Sequence, residues 1–305
     1  MNFKTFFILF FLTAPFSFPG SALMAQTVAF AQDTMANDFR KAQVHEVRKA
    51  LAPHKHIRFA SSDAKGQTSL LIHQINRFIE TRADVIIVGT NDEKAVVPVI
   101  TKAHQSGIPV IILDRGVKGK EYTTFIHSDN VRIGELGAEY IARKLGGKGK
   151  VLLFEGLQKA DVTKLRTQGF MNGIHKHPGI SVIKRTGNYL RRDALIEMEK
   201  LIASGEKIDA IFAESDSMLS GARTAMERHG IDPSGFITVG CDYTSEARDA
   251  IRTGKQSGSV LFPLGGTTAA KTALKILRGE KVPKDILIPV KLVTRENVND
   301  VEPIF

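Results

Sequence analysis

The chain has 305 residues, of which 43% are hydrophobic, so it can bury a large core and two domains are expected rather than one. Its formal net charge is +10, but the Lys and Arg residues are scattered and form no runs, which argues against a nucleic-acid or acidic-membrane surface. The single cysteine, Cys241, excludes an internal disulfide and is interpreted as a buried, inert thiol.

The N-terminal segment, residues 1–22, has the layout of a secretory signal peptide, because Lys4 precedes an apolar run that ends in small residues. Cleavage after Ala22 fits the small-residue rule, whereas cleavage after Ala25 would put the larger Leu23 at a small position. Two prolines and the short apolar length argue against a membrane-spanning helix. We therefore expect export to the periplasm as a free protein.

Apolar segments typical of strands alternate with segments of helical periodicity along the rest of the chain. Strands are predicted at 27–31, 56–60, 84–89, 110–113, 123–127, 150–155, 180–185, 210–213, 237–240 and 259–262. Helices are predicted near 38–52, 67–82, 92–106, 131–145, 162–176, 191–204, 215–229, 244–253 and 264–278. This order predicts an α/β fold with parallel sheets and helices on both faces. The series restarts near residue 149, which predicts two Rossmann-like lobes.

Nucleotide, catalytic and metal sites find no support in the motifs. The glycine-rich segment 146–150 is followed by Val151 where a phosphate loop needs Ser or Thr, and no G-x-G-x-x-G follows the first strand. Neither a G-x-S-x-G elbow nor a Cys/His arrangement is present. The two H-x-H pairs, which begin at His54 and His175, lack nearby Cys or acidic ligands. No enzyme activity, metal or cofactor is therefore predicted.

Polar and aromatic residues follow the predicted strands, where an open parallel sheet has its ligand crevice. Strand one is followed by Asp33, Asn37, Phe39 and Arg40, strand four by Asp114 and Arg115, strand eight by Ser215 and strand nine by Asp242. Carboxylates accept from hydroxyl groups, guanidinium groups donate as a fork, and aromatic rings cover C–H faces. This combination suits a polyhydroxylated ring, that is, a sugar.

Asp114 and Arg115 end the apolar strand 110–113 with opposite charges. Successive side chains of a strand point to opposite faces, so these two residues are not expected to pair with each other. Each needs a partner from elsewhere in the protein or from a ligand. We expect hydroxyl groups of the ligand to be those partners.

Five segments resemble the type I periplasmic sugar-binding proteins related to the ribose-binding protein: LDRG (113–116), IHSDN (126–130), RTQGF (166–170), FAESDSMLSGA (212–222) and VGCDYT (239–244). The resemblance implies two α/β lobes that close on one sugar for an ABC importer. It implies an N-terminal lobe of 27–128 plus 263–289 and a C-terminal lobe of 129–262 plus 290–305. Three crossings would connect them, with hinge residues Ser128, Phe262 and Pro289.

The resemblance also assigns ligand contacts by position. Asp114 and Arg115 match the polar pair at the cleft rim, while Arg166 and Asp242 match the charged residues of R-x-x-G-F and V-G-x-D. Asn37 and Phe39 match the N-x-F positions of the first loop, and Tyr189 falls where the family has a stacking aromatic. Asp216, at a predicted helix start, is expected to act as a helix cap or as a secondary ligand contact.

Several positions depart from the ribose pattern, so the identity of the sugar stays open. Arg40 replaces a second aromatic, Ser215 replaces an amide, Leu261 replaces a glutamine, and Gly89 with Thr90 replace an asparagine. We expect a neutral pentose or hexose, in pyranose or furanose form, with an acidic sugar as an alternative through Arg40. A chemoreceptor or histidine kinase is the alternative partner to the ABC permease. The protein is expected to be a monomer.

Overall fold

A computed structural model describes residues 25–305, so the predicted signal peptide, residues 1–22, lies outside the described residues. This part of the chain forms two six-stranded sheets, each with helices against it. The predicted fold class, two α/β lobes, is confirmed. Within residues 25–305, no helix combines the length and the apolar character needed to cross a bilayer.

The elements alternate from strand to helix through most of the chain. The strands are β1 (Gln26–Gln32), β2 (Ile57–Asp63), β3 (Val85–Gly89), β4 (Val110–Leu113), β5 (Thr124–Ser128), β6 (Lys148–Glu155), β7 (Gly179–Thr186), β8 (Ala210–Ala213), β9 (Ile237–Asp242), β10 (Gly258–Leu261), β11 (Asp285–Ile288) and β12 (Lys291–Thr294). The helices are α1 (Asp38–Leu51), α2 (Thr68–Glu80), α3 (Val97–Gln105), α4 (Asn130–Lys144), α5 (Asp161–Ile174), α6 (Arg191–Ala203), α7 (Asp216–Arg228), α8 (Ser245–Arg252) and α9 (Gly266–Leu277).

The two sheets have the strand orders β11-β5-β4-β3-β1-β2 and β12-β10-β9-β8-β6-β7. Every pairing in the first sheet is parallel, and in the second sheet only the edge strand β12 runs antiparallel, against β10. The chain therefore passes between the sheets three times: between β5 and β6, between β10 and β11, and between β11 and β12.

Both faces of each sheet are buried, which explains the continuous apolar runs of the strands. In β1, Val28 and Phe30 pack with helices α1 and α9, whereas Ala29 and Ala31 pack with α2 and α3. In the second sheet, odd-numbered residues of β6 such as Val151 pack with α4 and α5, and even-numbered ones pack with α6 and α7. The period-2 alternation thus divides each core into two layers.

The structure differs from the predicted elements at two places. Strands β11 and β12 were not predicted, because each has only four residues and Pro289 interrupts the apolar pattern between them. The helix predicted at 92–106 begins only at Val97. The Asp92 carboxylate accepts hydrogen bonds from the backbone N–H groups of Lys94 and Ala95, both at 3.0 Å, and so stabilises a turn in place of the first helical residues.

Candidate functional site

Nine of the ten predicted ligand-binding residues line one cavity between the two lobes. The space between its walls, including solvent at its mouth, is about 280 Å³. The first lobe contributes Asn37, Phe39, Arg40, Asp114 and Arg115, and the second contributes Arg166, Tyr189, Ser215 and Asp242. The tenth residue, Asp33, is not in contact with the cavity and lies behind Arg40 and Arg115. Because the carboxyl ends of parallel strands meet at one edge, these residues converge from distant parts of the chain.

Several cavity residues have left-handed backbone conformations that are unusual for residues other than glycine. Asp114 follows β4 with φ of 70°, Tyr189 has φ of 60°, and Asp242 ends β9 with φ of 113°. Such conformations cost of order 1–3 kcal/mol each and persist where the surrounding structure enforces them. Strained residues of this kind cluster at functional sites, so their occurrence together in this cavity supports a binding site here.

Buried ion pairs supply protein partners for Asp114 and Arg115. Arg40 Nη1 lies 2.5 Å from Asp114 Oδ2, and Arg115 Nη1 donates to Asp33 Oδ2 at 2.9 Å. The expectation that the two residues do not pair with each other agrees with these contacts, but ligand hydroxyls are not their sole partners. Only one oxygen of Asp114 and part of the Arg115 guanidinium are used in this way.

Two buried atoms of the same residues have no hydrogen-bond partner among the described residues: Asp114 Oδ1 and Arg115 Nε. The residues themselves are only 5% and 4% exposed. An unpaired buried polar atom costs about 1–3 kcal/mol, so both atoms favour a further partner. Desolvation lowers the pKa of Arg115 and raises the pKa of Asp33, and their attraction only partly offsets these shifts.

Arg166 and Asp242 form the charged part of the second lobe. Arg166 donates from Nε to Asn130 Oδ1 at 2.9 Å and from Nη1 to the Glu214 backbone oxygen at 2.6 Å, and no ion pair to it occurs among residues 25–305. Burial raises the pKa of Asp242 well above its ordinary value, although Arg166 opposes this. Both groups therefore gain from a polar guest in the cavity.

The aromatic residues lie on both sides of the cleft. Phe39 stacks on Phe262 with ring centroids 5.2 Å apart, and the Arg166 guanidinium lies 4.5 Å from the Phe262 ring centroid. The guanidinium groups of Arg115 and Arg166 lie 5.3 and 5.9 Å from the ring centroid of Tyr189. Tyr189 thus packs against cations within the protein, in contrast to the free stacking surface that the resemblance implied.

Two predicted ligand residues, Asn37 and Ser215, use their side chains as helix caps. Asn37 Oδ1 accepts from Arg40 N at 2.9 Å, and Ser215 Oγ accepts from Met218 N at 3.2 Å. Asn37 Nδ2 also donates across the cleft to the Tyr189 backbone oxygen at 3.3 Å. Both residues line the cavity, but their side-chain oxygens already have intramolecular donors.

The prediction that Asp216 caps a helix is wrong, because Ser215 is the cap of α7. Asp216 is instead a buried structural carboxylate. Its oxygens accept from Ser259 Oγ at 2.7 Å, from Gln256 Nε2 at 2.9 Å and from Tyr243 N at 2.7 Å. Burial raises its pKa to about 6 in spite of these hydrogen bonds.

Two residues that line the cavity, Val162 and Phe262, were not predicted to contact the ligand. Phe262 was predicted only as a hinge residue, yet it directly follows β10, so the strand-end rule applied to the other site residues would have found it. Val162, at the start of α5, offered no such signal. The other predicted hinge residues lie at passages between the sheets: Ser128 ends β5 and Pro289 follows β11.

Contacts between the lobes close the cleft around the cavity. The Gly116 backbone N–H donates to Asp161 Oδ2 at 2.8 Å, and Lys164 Nζ lies 2.6 Å from Glu93 Oε1. Burial raises the pKa of Asp161, and the Gly116 hydrogen bond lowers it. No group of three or more His, Cys, Asp or Glu side chains within residues 25–305 is arranged to hold a metal ion.

Residues 28–281 match the family of the periplasmic binding protein domain. The chain belongs to the periplasmic binding protein family. A ribose import binding protein, RbsB, of Bacillus subtilis (strain 168) is 30% identical over 272 residues, which cover 88% of this chain and 88% of the relative. The resemblance to ribose-binding proteins predicted from the motifs is thereby confirmed.

Solved structures of similar fold support this assignment, and they cover nearly the whole of this chain. A solute-binding protein of an ABC transporter from Bacillus halodurans C-125 with bound myo-inositol has a TM-score of 0.87 and 28% identity, and covers 92% of this chain and 98% of its own. The fructose-binding periplasmic domain of the hybrid two-component system BT1754 has a TM-score of 0.85 and 27% identity, and covers 90% and 92%.

Proposed function

We propose that this periplasmic binding protein captures a monosaccharide in the cavity between its lobes and delivers it to the membrane permease of an ABC importer. The observation that supports the proposal is the set of charged groups facing one cavity from both lobes. Within residues 25–305, Asp114 Oδ1 and Arg115 Nε have no hydrogen-bond partner on one side, and Arg166 and Asp242 form no ion pair on the other. Sugar hydroxyls donate and accept, so one ring can satisfy both kinds of group.

The charge of the site favours a neutral sugar, a pentose or hexose in pyranose or furanose form. Arg40, Arg115 and Arg166 are matched in number by Asp33, Asp114 and Asp242, so a neutral ligand leaves no net charge to bury. The alternative of an acidic sugar, accepted through Arg40, depended on Asp33 being turned away from the cleft. Asp33 does not line the cavity, but it still pairs with Arg115 at 2.9 Å. The ion pair of Arg40 with Asp114 at 2.5 Å argues for the neutral ligand.

Capture would proceed by closure of the lobes about the three passages between the sheets, with Ser128, Phe262 and Pro289 as hinge residues. The lobes would be 27–128 plus 263–289 and 129–262 plus 290–305. The ligand favours closure by the difference between its binding free energies for the closed and the open state. Export to the periplasm through the signal peptide 1–22 and a monomeric state complete the proposal.

A sensory role is the second candidate, and one comparison favours it. A protein of the same fold is the periplasmic domain of a two-component system, whereas two of the named relatives are ribose import binding proteins. The same cavity would then report sugar to a chemoreceptor or histidine kinase. A pull-down with the membrane proteins encoded beside this protein distinguishes the two roles. The sugar-loaded form should be retained either by an ABC permease or by a chemoreceptor or histidine kinase, but not by both.

A thermal-shift screen against pentoses, hexoses, furanoses and sugar acids identifies the ligand, because a ligand that binds only the native state raises the melting temperature. Isothermal titration with that sugar then tests the site. Arg166→Ala is expected to lose at least about tenfold in affinity, about 1.4 kcal/mol. Arg192→Ala, a matched removal of one positive charge at an 80% exposed side chain, is expected to bind like the wild type.

Unchanged binding by Arg166→Ala would refute the assignment of this residue, and flat melting curves across all sugars would refute the monosaccharide proposal. Recovery of the chemically unchanged sugar after incubation, measured by NMR, is the result expected of a binding protein. Formation of a product would overturn that part of the proposal and indicate an enzyme.

A further inference from the structure

Glu214 lies directly behind the cavity and contacts two of its residues without lining it. It follows β8 and is fully buried. Its backbone oxygen accepts the hydrogen bond from Arg166 Nη1 at 2.6 Å, and its carboxyl Oε2 lies 3.4 Å from the hydroxyl of Tyr189. The position of Glu214 therefore bears on the direction of both the guanidinium and the ring.

The hydroxyl group of Thr167 lies between two carboxyl groups. Thr167 Oγ1 is 2.8 Å from Glu214 Oε1 and 3.1 Å from Glu155 Oε1. A hydroxyl carries a single hydrogen and an ionised carboxylate only accepts, so two ionised glutamates would leave one of these contacts without a hydrogen. Lys184 Nζ forms an ion pair with Glu155 Oε1 at 3.0 Å, whereas Glu214 forms no ion pair within residues 25–305. The missing hydrogen therefore belongs on Glu214, which then donates to Thr167.

The donors available to the other carboxyl oxygen, Glu214 Oε2, also indicate a protonated Glu214. Thr163 Oγ1 donates its hydrogen to the Leu157 backbone oxygen at 2.8 Å, so in its 2.8 Å contact with Tyr189 the tyrosine hydroxyl is the donor. The Tyr189 hydrogen is then not available to Glu214. Among residues 25–305, the Gly156 backbone N–H, at 2.8 Å, is then the one remaining donor to Glu214 Oε2, and one hydrogen bond is poor compensation for a fully buried negative charge.

We propose that Glu214 is a positioning residue that carries a proton and holds Arg166 and Tyr189 in their binding geometry, so that sugar affinity is linked to its protonation. The inference rests on the proposed function. Ionisation would place a negative charge beside Glu155 and the Tyr189 oxygen and attract the Arg166 guanidinium away from the cavity. The titratable groups that surround Glu214 are Arg166 from α5, Glu155 from β6, Tyr189 after β7 and Cys241 from β9.

The electrostatic surroundings agree with the hydrogen count. Desolvation by burial and, to a smaller degree, Glu155 raise the pKa of Glu214, whereas the Gly156 N–H, Thr167 and Arg166 lower it, and the net pKa is about 7. Because this folded-state value lies above the ordinary value of 4.5, the stabilisation from the bound proton is fully present below pH 4.5 and is lost as the pH rises through about 7. Sugar affinity is expected to fall over the same upper range.

Isothermal titration of the identified sugar between pH 5.5 and pH 8.5 tests the linkage. Wild-type affinity is expected to fall at least threefold between about one pH unit below and about one pH unit above the Glu214 pKa of about 7. Glu214→Gln has the shape and hydrogen-bond donor of the protonated form, so its affinity should fall less steeply with pH than that of the wild type. Asp242, with a raised pKa of its own, is present in both proteins and contributes equally to both profiles.

A measurement without sugar separates this inference from the proposed function. In protein labelled with ¹³C at the glutamate carboxyl carbons, the resonance absent from Glu214→Gln reports the titration of Glu214 directly. A midpoint near pH 7 is expected, and a midpoint below pH 5 would overturn the proton assignment even if no sugar binds. A pH profile of affinity in Glu214→Gln as steep as that of the wild type would overturn the linkage, whatever the midpoint.

Discussion

Replacement of Arg40 by methionine is expected to destabilise the protein strongly, because the guanidinium connects two buried carboxylates. Arg40 is 2% exposed and lies 2.5 Å from Asp114 and 3.6 Å from Asp33. Methionine keeps the aliphatic packing of the side chain but removes the charge, which leaves Arg115 alone against both aspartates. Removing one partner of a buried ion pair typically costs about 3–5 kcal/mol.

Urea unfolding with linear extrapolation measures this loss as a change in the free energy of unfolding. Lys41→Met is the matched control, since Lys41 pairs with Asp38 at 3.6 Å on the same helix while both side chains are more than half exposed. That control is expected to change the free energy by less than about 0.5 kcal/mol. The loss in Arg40→Met should be larger at pH 8 than at pH 5, because burial raises the pKa of Asp33 and protonation of this group relieves part of the uncompensated charge.

A double-mutant cycle separates the ion pair from other effects of the substitution. Asp114→Asn combined with Arg40→Met should destabilise by less than the sum of the two single changes, with an interaction energy of about 0.5–3 kcal/mol. A loss of less than about 1 kcal/mol in Arg40→Met, or strict additivity in the cycle, would refute the reasoning that this network is coupled and charged.

Three further predictions concern closure, packing and the thiol. Asp161→Ala removes the acceptor for the Gly116 N–H at 2.8 Å between the lobes and should weaken sugar affinity about threefold to tenfold in isothermal titration; equal affinity would mean that this contact does not favour the closed state. Gly137→Ala would place a Cβ atom 2.3 Å from the ring of Phe212 and should lower the free energy of unfolding by about 1–3 kcal/mol, whereas an unchanged urea midpoint would contradict the packing. Cys241 is fully buried and should react with a thiol reagent only after unfolding, so rapid labelling of the native protein would contradict its burial.

Local patterns in the sequence were sufficient for the fold class and for most of the cavity wall. Ten strands and nine helices were predicted close to their observed positions, because apolar runs and helical periodicity record which faces are buried. The strand-end rule then brought Asp114, Arg115, Ser215 and Asp242 to one edge, since parallel strands end together. Neither step requires knowledge of a partner far away in the chain.

One edge strand of each sheet and the start of α3 were not predictable from these patterns. Strands β11 and β12 are short edge strands that depend on pairing with β5 and β10, which lie far away in the chain. Residues 92–96 have helical character in the sequence, but the backbone N–H groups of Lys94 and Ala95 donate to the Asp92 carboxylate and hold a turn there instead. In both cases a specific contact outweighs the local preference.

The sequence by itself determined most of the residues that meet at the cleft, because periodicity and strand ends are properties of neighbouring residues. Only the tertiary structure decided how those residues pair. Arg115 binds Asp33 across 82 positions of the chain, and the proton count at Glu214 depends on Thr167 and Glu155, which belong to different elements. Ion pairing, hydrogen-bond satisfaction and pKa depend on distances of a few ångströms and on desolvation, and neither quantity exists until the two lobes are folded and closed.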